Sequence, residues 1–146
     1  MKKIIAILVS FLALSTFARA EENCSVSGTV TFSQGSDIYI CLHTMETFTV
    51  YKKELPSPQF LQVINPTKEM LKTGKASFKF ESIPKGSYLI VAFQDTNGNE
   101  KLDWGGWGFP TEPICFYKES ETGMSNWYDM KFDVEKDCRG IELVLN

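Results

Sequence analysis

KASFKFESIPKGSYLIVAFQ, residues 75–94, decides the fold class. Ala76, Phe78 and Phe80 fall on one side and Lys75, Ser77, Lys79 and Glu81 on the other, a period of two that belongs to a strand with one wet face. Ile83-Pro84-Lys85-Gly86 predicts a turn, the proline presetting one dihedral and the glycine free to take a positive φ. Ser87 to Gln94 then runs back as a strand with Tyr88, Ile90, Ala92 and Gln94 on one face and Leu89, Val91 and Phe93 on the other. Both faces are apolar, so this strand is expected in the interior.

Working outward, the same pattern recurs. Ser25 to Phe32 alternates with Val26, Val30 and Phe32 on one side; Ser33–Ser36 is a turn; Asp37 to His43 alternates again with both faces apolar, predicting a central strand. The two are expected to pair as a hairpin with Phe32 facing Asp37, which sets Cys41 opposite Gly28. Thr44 to Asn65 reads as a strand or irregular segment near Thr47–Tyr51, then a loop through Pro56 and Pro58. Asn65-Pro66-Thr67 followed by Lys68–Lys72 and Thr73-Gly74 predicts a short helix, capped by Asn65 and ended by Gly74. Further strands are expected at Ile114–Tyr117, Tyr128–Val134 and Gly140–Leu145, the last with Ile141, Leu143 and Leu145 inward. About seven strands with turn-rich connections predict an all-β chain, a single antiparallel β-sandwich.

The first residues read as a secretory signal peptide: Met1-Lys2-Lys3, an apolar run from Ile4 to Leu14, then Ala18-Arg19-Ala20. The apolar run is too short for a membrane anchor. Cleavage after Ala20 leaves residues 21–146 as one domain and removes Lys2, Lys3 and Arg19, so 12 basic face 18 acidic side chains. A periplasmic or secreted location follows. The acidic balance argues against nucleic acid or an anionic membrane as partner and suits cation binding.

An even number of cysteines in an exported chain predicts two disulfides. No two of Cys24, Cys41, Cys115 and Cys138 have a CxxC spacing, which argues against a thiolate metal site or haem attachment. The hairpin register disfavours Cys24 with Cys41; of the two pairings that remain, Cys24 with Cys138 and Cys41 with Cys115 is favoured over Cys24 with Cys115 and Cys41 with Cys138.

Beyond Phe93 lies the most unusual composition of the chain, DTNGNEKLDWGGWGFPTE, residues 95–112. Asp95, Asn97, Asn99, the main chain at Lys101 and Asp103 stand at the first, third, fifth, seventh and ninth places of a possible calcium loop, with Glu112 able to close the shell. Gly106 stands at the twelfth place and Glu100 at the sixth, so this is not an EF-hand. The other reading is a tight turn held by side-chain to backbone hydrogen bonds, needing no cofactor. Trp104, Trp107 and Phe109 put a large apolar load on the same loop. With Phe116, Tyr117, Trp127 and Tyr128 they form either a platform for a glycan or protein partner or a cap over the open end of the sheets. His43, the single histidine, has no nucleophile near it in sequence, and no enzyme is expected.

The FxxIPxGxY pattern at Phe80, Ile83, Pro84, Gly86 and Tyr88 resembles a hairpin of transthyretin-like and collagen-adhesin B-type β-sandwiches. More specifically, Phe93, Asp95, Asn97, Asn99 and Asp103, followed by Gly108, Pro110 and Glu112, resemble the bacterial secreted family called domain of unknown function 2141. Gln94 stands where that family commonly has histidine and Glu100 where it commonly has glycine. The resemblance implies an exported β-sandwich and no particular activity. Hydroxyisourate hydrolases share the transthyretin-like fold, but they need several basic and histidine side chains and a C-terminal Tyr-Arg-Gly-Ser, whereas this chain ends Glu-Leu-Val-Leu-Asn.

Overall fold

The computed structural model describes residues 22–51, 58–121 and 126–145. The predicted signal peptide, Pro56 and the start of the loop around it lie outside the described residues. The chain is all-β, with eight strands in two sheets among the described residues and three short helices. In order these are β1 Asn23–Thr31, β2 Asp37–His43, α1 Met45–Tyr51, β3 Phe60–Ile64, α2 Lys68–Thr73, β4 Lys75–Pro84, β5 Gly86–Asp95, β6 Ile114–Phe116, α3 Trp127–Met130, β7 Phe132–Val134 and β8 Cys138–Val144.

One sheet has the order β4-β1-β8; the other runs β3-β2-β5-β6, with β7 also on β5. A single apolar cluster takes Val26 and Val30 from β1, Phe78 and Phe80 from β4 and Ile141 and Leu143 from β8. From the other sheet it takes Ile38, Ile40 and Leu42 of β2 and Ile90 and Ala92 of β5. β5 is buried from Tyr88 to Asp95, as its two apolar faces require. Its second face, with Cys41 of β2, packs Leu89, Val91 and Phe93 against Phe48 of α1, Leu102, and Trp127 and Met130 of α3.

Several pairings differ from the sequence reading. β1 and β2 are not a hairpin: β1 has β4 on one edge and β8 on the other, so the turn at 33–36 carries the chain across to the second sheet. Their apolar faces meet through the core instead of lying side by side. The segment Ile83–Gly86 crosses in the same way, with β4 and β5 in different sheets and only Lys85 between them. Gly86 does not take a positive φ; Ser82 does, at 57°. Nor is the pairing wholly antiparallel, since β1 and β8 run parallel with Gly28 level with Ile141.

Met45–Tyr51 is helical, not a strand, because Thr44 and Thr47 cap it: the Thr44 N–H donates to Thr47 Oγ1 at 2.9 Å and the Phe48 N–H to the Thr44 carbonyl at 2.9 Å. The loop expected to follow contains β3, an edge strand against β2 with Leu61 and Val63 facing outward. In α2 the cap is Thr67, whose Oγ1 accepts from the Met70 N–H at 3.2 Å, and not Asn65; Gly74 ends the helix at φ 66° as expected. Tyr128–Val134 is not one strand. Asn126 accepts from the Tyr128 N–H at 3.0 Å and starts α3, which points Trp127 and Met130 to one face of β5, while Phe132 and Val134 of β7 join the main core.

The four cysteines are free thiols, contrary to the two expected bridges. Cys41 pairs across from Val91 and Cys115 across from Ala92, consecutive residues of β5 whose side chains leave opposite faces, so Cys41 and Cys115 cannot meet. Cys138 stands level with Val26, two residues along β1 from Cys24, and packs against the cluster that holds Cys24 without a bond between them. Burial pushes the Cys41 thiol up to about 12 and Cys115 up to about 11, which leaves both as small apolar side chains.

Candidate functional site

The loop joining β5 to β6 begins where Asp95 closes the last pair of β5 with β2, directly opposite Asp37. Asp95 is 5% exposed, and its carboxylate winds the chain around itself. Its Oδ1 accepts from the Gly98 and Asn99 N–H groups at 2.7 and 3.1 Å, and Oδ2 from that of Glu100 at 2.7 Å. So tight a turn forces Gly98 and Glu100 to φ 74° and 62°. Glycine carries such a φ without strain; glutamate is held there by the surrounding hydrogen bonds.

The amide side chains repeat the device. Asn97 Oδ1 accepts from the Asn99 N–H at 3.1 Å and Asn99 Oδ1 from the Lys101 N–H at 2.9 Å. Their Nδ2 groups both donate to Asp103 Oδ2, at 2.6 and 2.8 Å. Asn97, Asn99 and Asp103 are thus joined side chain to side chain, Asp95 holds the main chain of the same turn, and Lys101 joins through its N–H and not the carbonyl that a calcium loop would use. Among the described residues no group of three or more His, Cys, Asp or Glu is arranged to hold a metal ion.

Glu112 sits elsewhere. It is 6% exposed; Oε1 accepts from the Thr96 N–H at 2.7 Å and Thr96 Oγ1 at 3.1 Å, and Oε2 from the Asp103 N–H at 3.2 Å. It fastens the two ends of the Asp/Asn turn, and Leu102, 1% exposed, plugs the turn into the cluster on β5. Glu112→Ala should cost about 2 kcal/mol, because three donors lose a charged acceptor in a place with little water. Urea unfolding measures the cost, and a variant as stable as the parent would show that the loop does not depend on Glu112.

Above this base the chain forms a narrow tongue. Trp104 and Pro110 make a β-bridge, the Gly105 N–H donates to the Phe109 carbonyl at 2.8 Å, and the Thr111 N–H to the Asp103 carbonyl at 2.9 Å. Trp107 at the tip is 93% exposed, Phe109 74% and Trp104 47%. The other aromatic residues separate from them. Trp127 packs against Phe48 at 6.1 Å, Phe116 lies against the same cluster, Tyr117 meets Phe132 edge-on at 5.3 Å, and Tyr128 is exposed on α3.

The sequence reading missed Asp37 and Tyr39 at this end of the sheet. Tyr39 stacks on Phe93 at 5.0 Å. Burial first, and then the charges of Glu100, Asp95 and Asp37, push its phenol up, so these three carboxylates surround it closely enough to be felt. Only the pairing of β2 with β5 brings them together, and no local motif announces that. His43 is at the other end of β2, opposite Leu89, fully buried, with Nδ1 3.3 Å from Thr47 Oγ1. Burial pushes it down to about 4, so it is neutral at ordinary pH.

Among the described residues, no helix is long and apolar enough to cross a membrane. No curated protein and no solved structure matches the chain. A family model described as "Uncharacterized protein conserved in bacteria (DUF2141)" matches residues 30–142, a span that starts inside β1 and ends inside β8. With the match covering most of the sequence, the loop and both sheets included, the chain belongs to the DUF2141 family.

Proposed function

We propose that this is an exported, non-enzymatic β-sandwich module, periplasmic or secreted, whose β5–β6 loop presents Trp104, Trp107 and Phe109 to a glycan or protein. The observation that carries the reading is the contrast between tip and base. Trp107 is almost wholly in water, while the turn beneath it is held by buried Asp95 and Glu112. Large apolar side chains held out on a rigid support lose little conformational freedom on binding, which favours contact with another surface. The non-enzymatic part of the reading is supported by the burial of His43, the single histidine, and by the burial that pushes the Cys41 and Cys115 thiols up.

Trp107→Ala should leave stability within about 0.5 kcal/mol of the parent, as for other exposed positions, while abolishing binding. Thermal melting together with tryptophan-fluorescence titration against an oligosaccharide panel and candidate envelope proteins tests both halves. A loss of roughly 3 to 5 kcal/mol would mark Trp107 as core and retire the proposal.

A second reading, weak calcium binding in the same loop, is favoured by Asp37 facing Asp95 across the strand pair, and it requires the amide donors on Asp103 Oδ2 to turn away and present their oxygens instead. Like charges placed opposite one another are unfavourable, and a cation relieves them. With Kd on the order of 0.1 to 1 mM, calcium at ten times Kd should add about 1.4 kcal/mol to stability, and magnesium much less. Asp103→Asn should remove the response and Glu81→Ala retain it. No heat and no change in melting at several millimolar calcium would leave the loop as a turn closed by its own hydrogen bonds.

A further inference from the structure

The charge around the tongue narrows its partner. Residues 95–112 carry four carboxylates, at Asp95, Glu100, Asp103 and Glu112, against one cation, Lys101. Asp95 and Glu112 are buried and spend their oxygens on N–H and hydroxyl donors. Glu100 is exposed, Asp103 is half-buried directly before Trp104, and Asp37 is half-buried on the neighbouring strand. Asp37 faces Asp95 across β2 and β5, and the Glu100 N–H is bound to Asp95 Oδ2, which brings these charges to one end of the sheet. An aromatic tip thus rises from an acidic collar.

A neutral sugar gains nothing from such a collar, and an anionic glycan or lipid surface is repelled by it. A lysine or arginine side chain gains twice, by lying over an indole face and by approaching the carboxylates. The main chain of the tongue is open as well. At Gly106 an added Cβ would meet nothing within 4 Å, and its φ is not positive, so neither packing nor backbone geometry demands a glycine there. Its bareness leaves room for a second backbone to approach.

We infer that the tongue binds a cationic, extended peptide segment of a partner protein, with lysine or arginine side chains over Trp107 and Trp104 and the collar of Glu100, Asp103 and Asp37 supplying the opposite charge. This rests on the reading of the tongue as a contact surface. The test is a tryptophan-fluorescence titration of the protein in calcium-free, chelator-containing buffer. The probe is an octapeptide of alternating lysine and glycine, with counterparts carrying glutamate or serine in place of lysine, and a chitosan oligosaccharide alongside.

Saturable binding of the lysine peptide alone is expected, weakening at least about tenfold between low and 0.5 M salt. Trp107→Ala should abolish it and Glu100→Gln weaken it about threefold, while Glu142→Gln, on β8 of the other sheet, should change nothing. Binding that ignores both Trp107→Ala and Glu100→Gln would be attraction to an acidic protein at large and would overturn the inference. Equal binding of the serine peptide, or binding of chitosan in preference to the peptide, would overturn the cationic-peptide assignment while leaving the tongue a contact surface. If no peptide binds, the inference falls. A Trp107-dependent signal in the oligosaccharide and envelope-protein panel would then preserve the broader proposal, and silence there would remove both.

Discussion

Gly28→Ala should destabilise the protein by roughly 3 kcal/mol or more, at the upper end of what overpacking a tight site costs. A Cβ at Gly28 would stand 2.0 Å from the carbonyl oxygen of Ile141 and 2.7 Å from its carbonyl carbon, both backbone atoms of the parallel neighbour β8. A flexible side chain could swing away from such an intrusion; a strand carbonyl engaged beside β1 cannot. The register between the two strands already shifts between Val26 and Gly28, so the approach is closest where the ladder is irregular. Accommodating the methyl group means prising β8 from β1 and loosening Ile141 and Leu143, which are 2% and 1% exposed. Urea denaturation gives the number directly, and the melting temperature should fall by roughly 10 °C or more. Gly106→Ala is the matched control, expected to lie within about 0.5 kcal/mol of the parent. If Gly28→Ala melts with the control, β1 and β8 do not approach as described.

The second large effect is on pH. His43 is fully buried and its pKa is lowered to about 4 from an ordinary 6.5, the cause being desolvation. Above pH 6.5 neither the folded nor the unfolded chain protonates it, and its contribution to stability is complete. Between pH 6.5 and 4 the unfolded chain takes up a proton that the folded one refuses, at about 1.4 kcal/mol per unit. Roughly 3 kcal/mol is therefore lost on acidification to pH 4, after which the loss levels off. Carboxylates also titrate toward the acid end, so the measurement is the difference between the parent and His43→Gln across pH 7.5 to 4. The parent should fall more steeply between 6.5 and 5, where carboxylates scarcely contribute. Parallel profiles would mean that His43 is protonated in the folded state as easily as in the unfolded one.

What the sequence made legible was what repeats locally. The alternation in 75–81 and the double-faced apolar run in 87–94 are the strands β4 and β5, and Gly74 ends α2 with the left-handed φ that its position suggested. Asn97 and Asn99 meet at Asp103, while Asp95 turns to the main chain of residues 98–100. Sheet membership was not legible, because a short connection such as 32–36 serves equally well to fold a strand back beside its predecessor or to carry it across the core. The threonine cap of α1 competes with a β-like composition at Thr47–Tyr51, and local hydrogen bonds decided it. The role of Glu112 was hidden for a related reason: its acceptors serve Thr96 and Asp103, a partnership visible only once the loop has closed.

The parallel pairing of β1 with β8 also has a consequence for biogenesis. β1 cannot complete its sheet until β8 has been synthesised, since Gly28 and Ile141 are neighbours in space and far apart in the sequence. Such long-range closure makes folding slow compared with a chain of local hairpins.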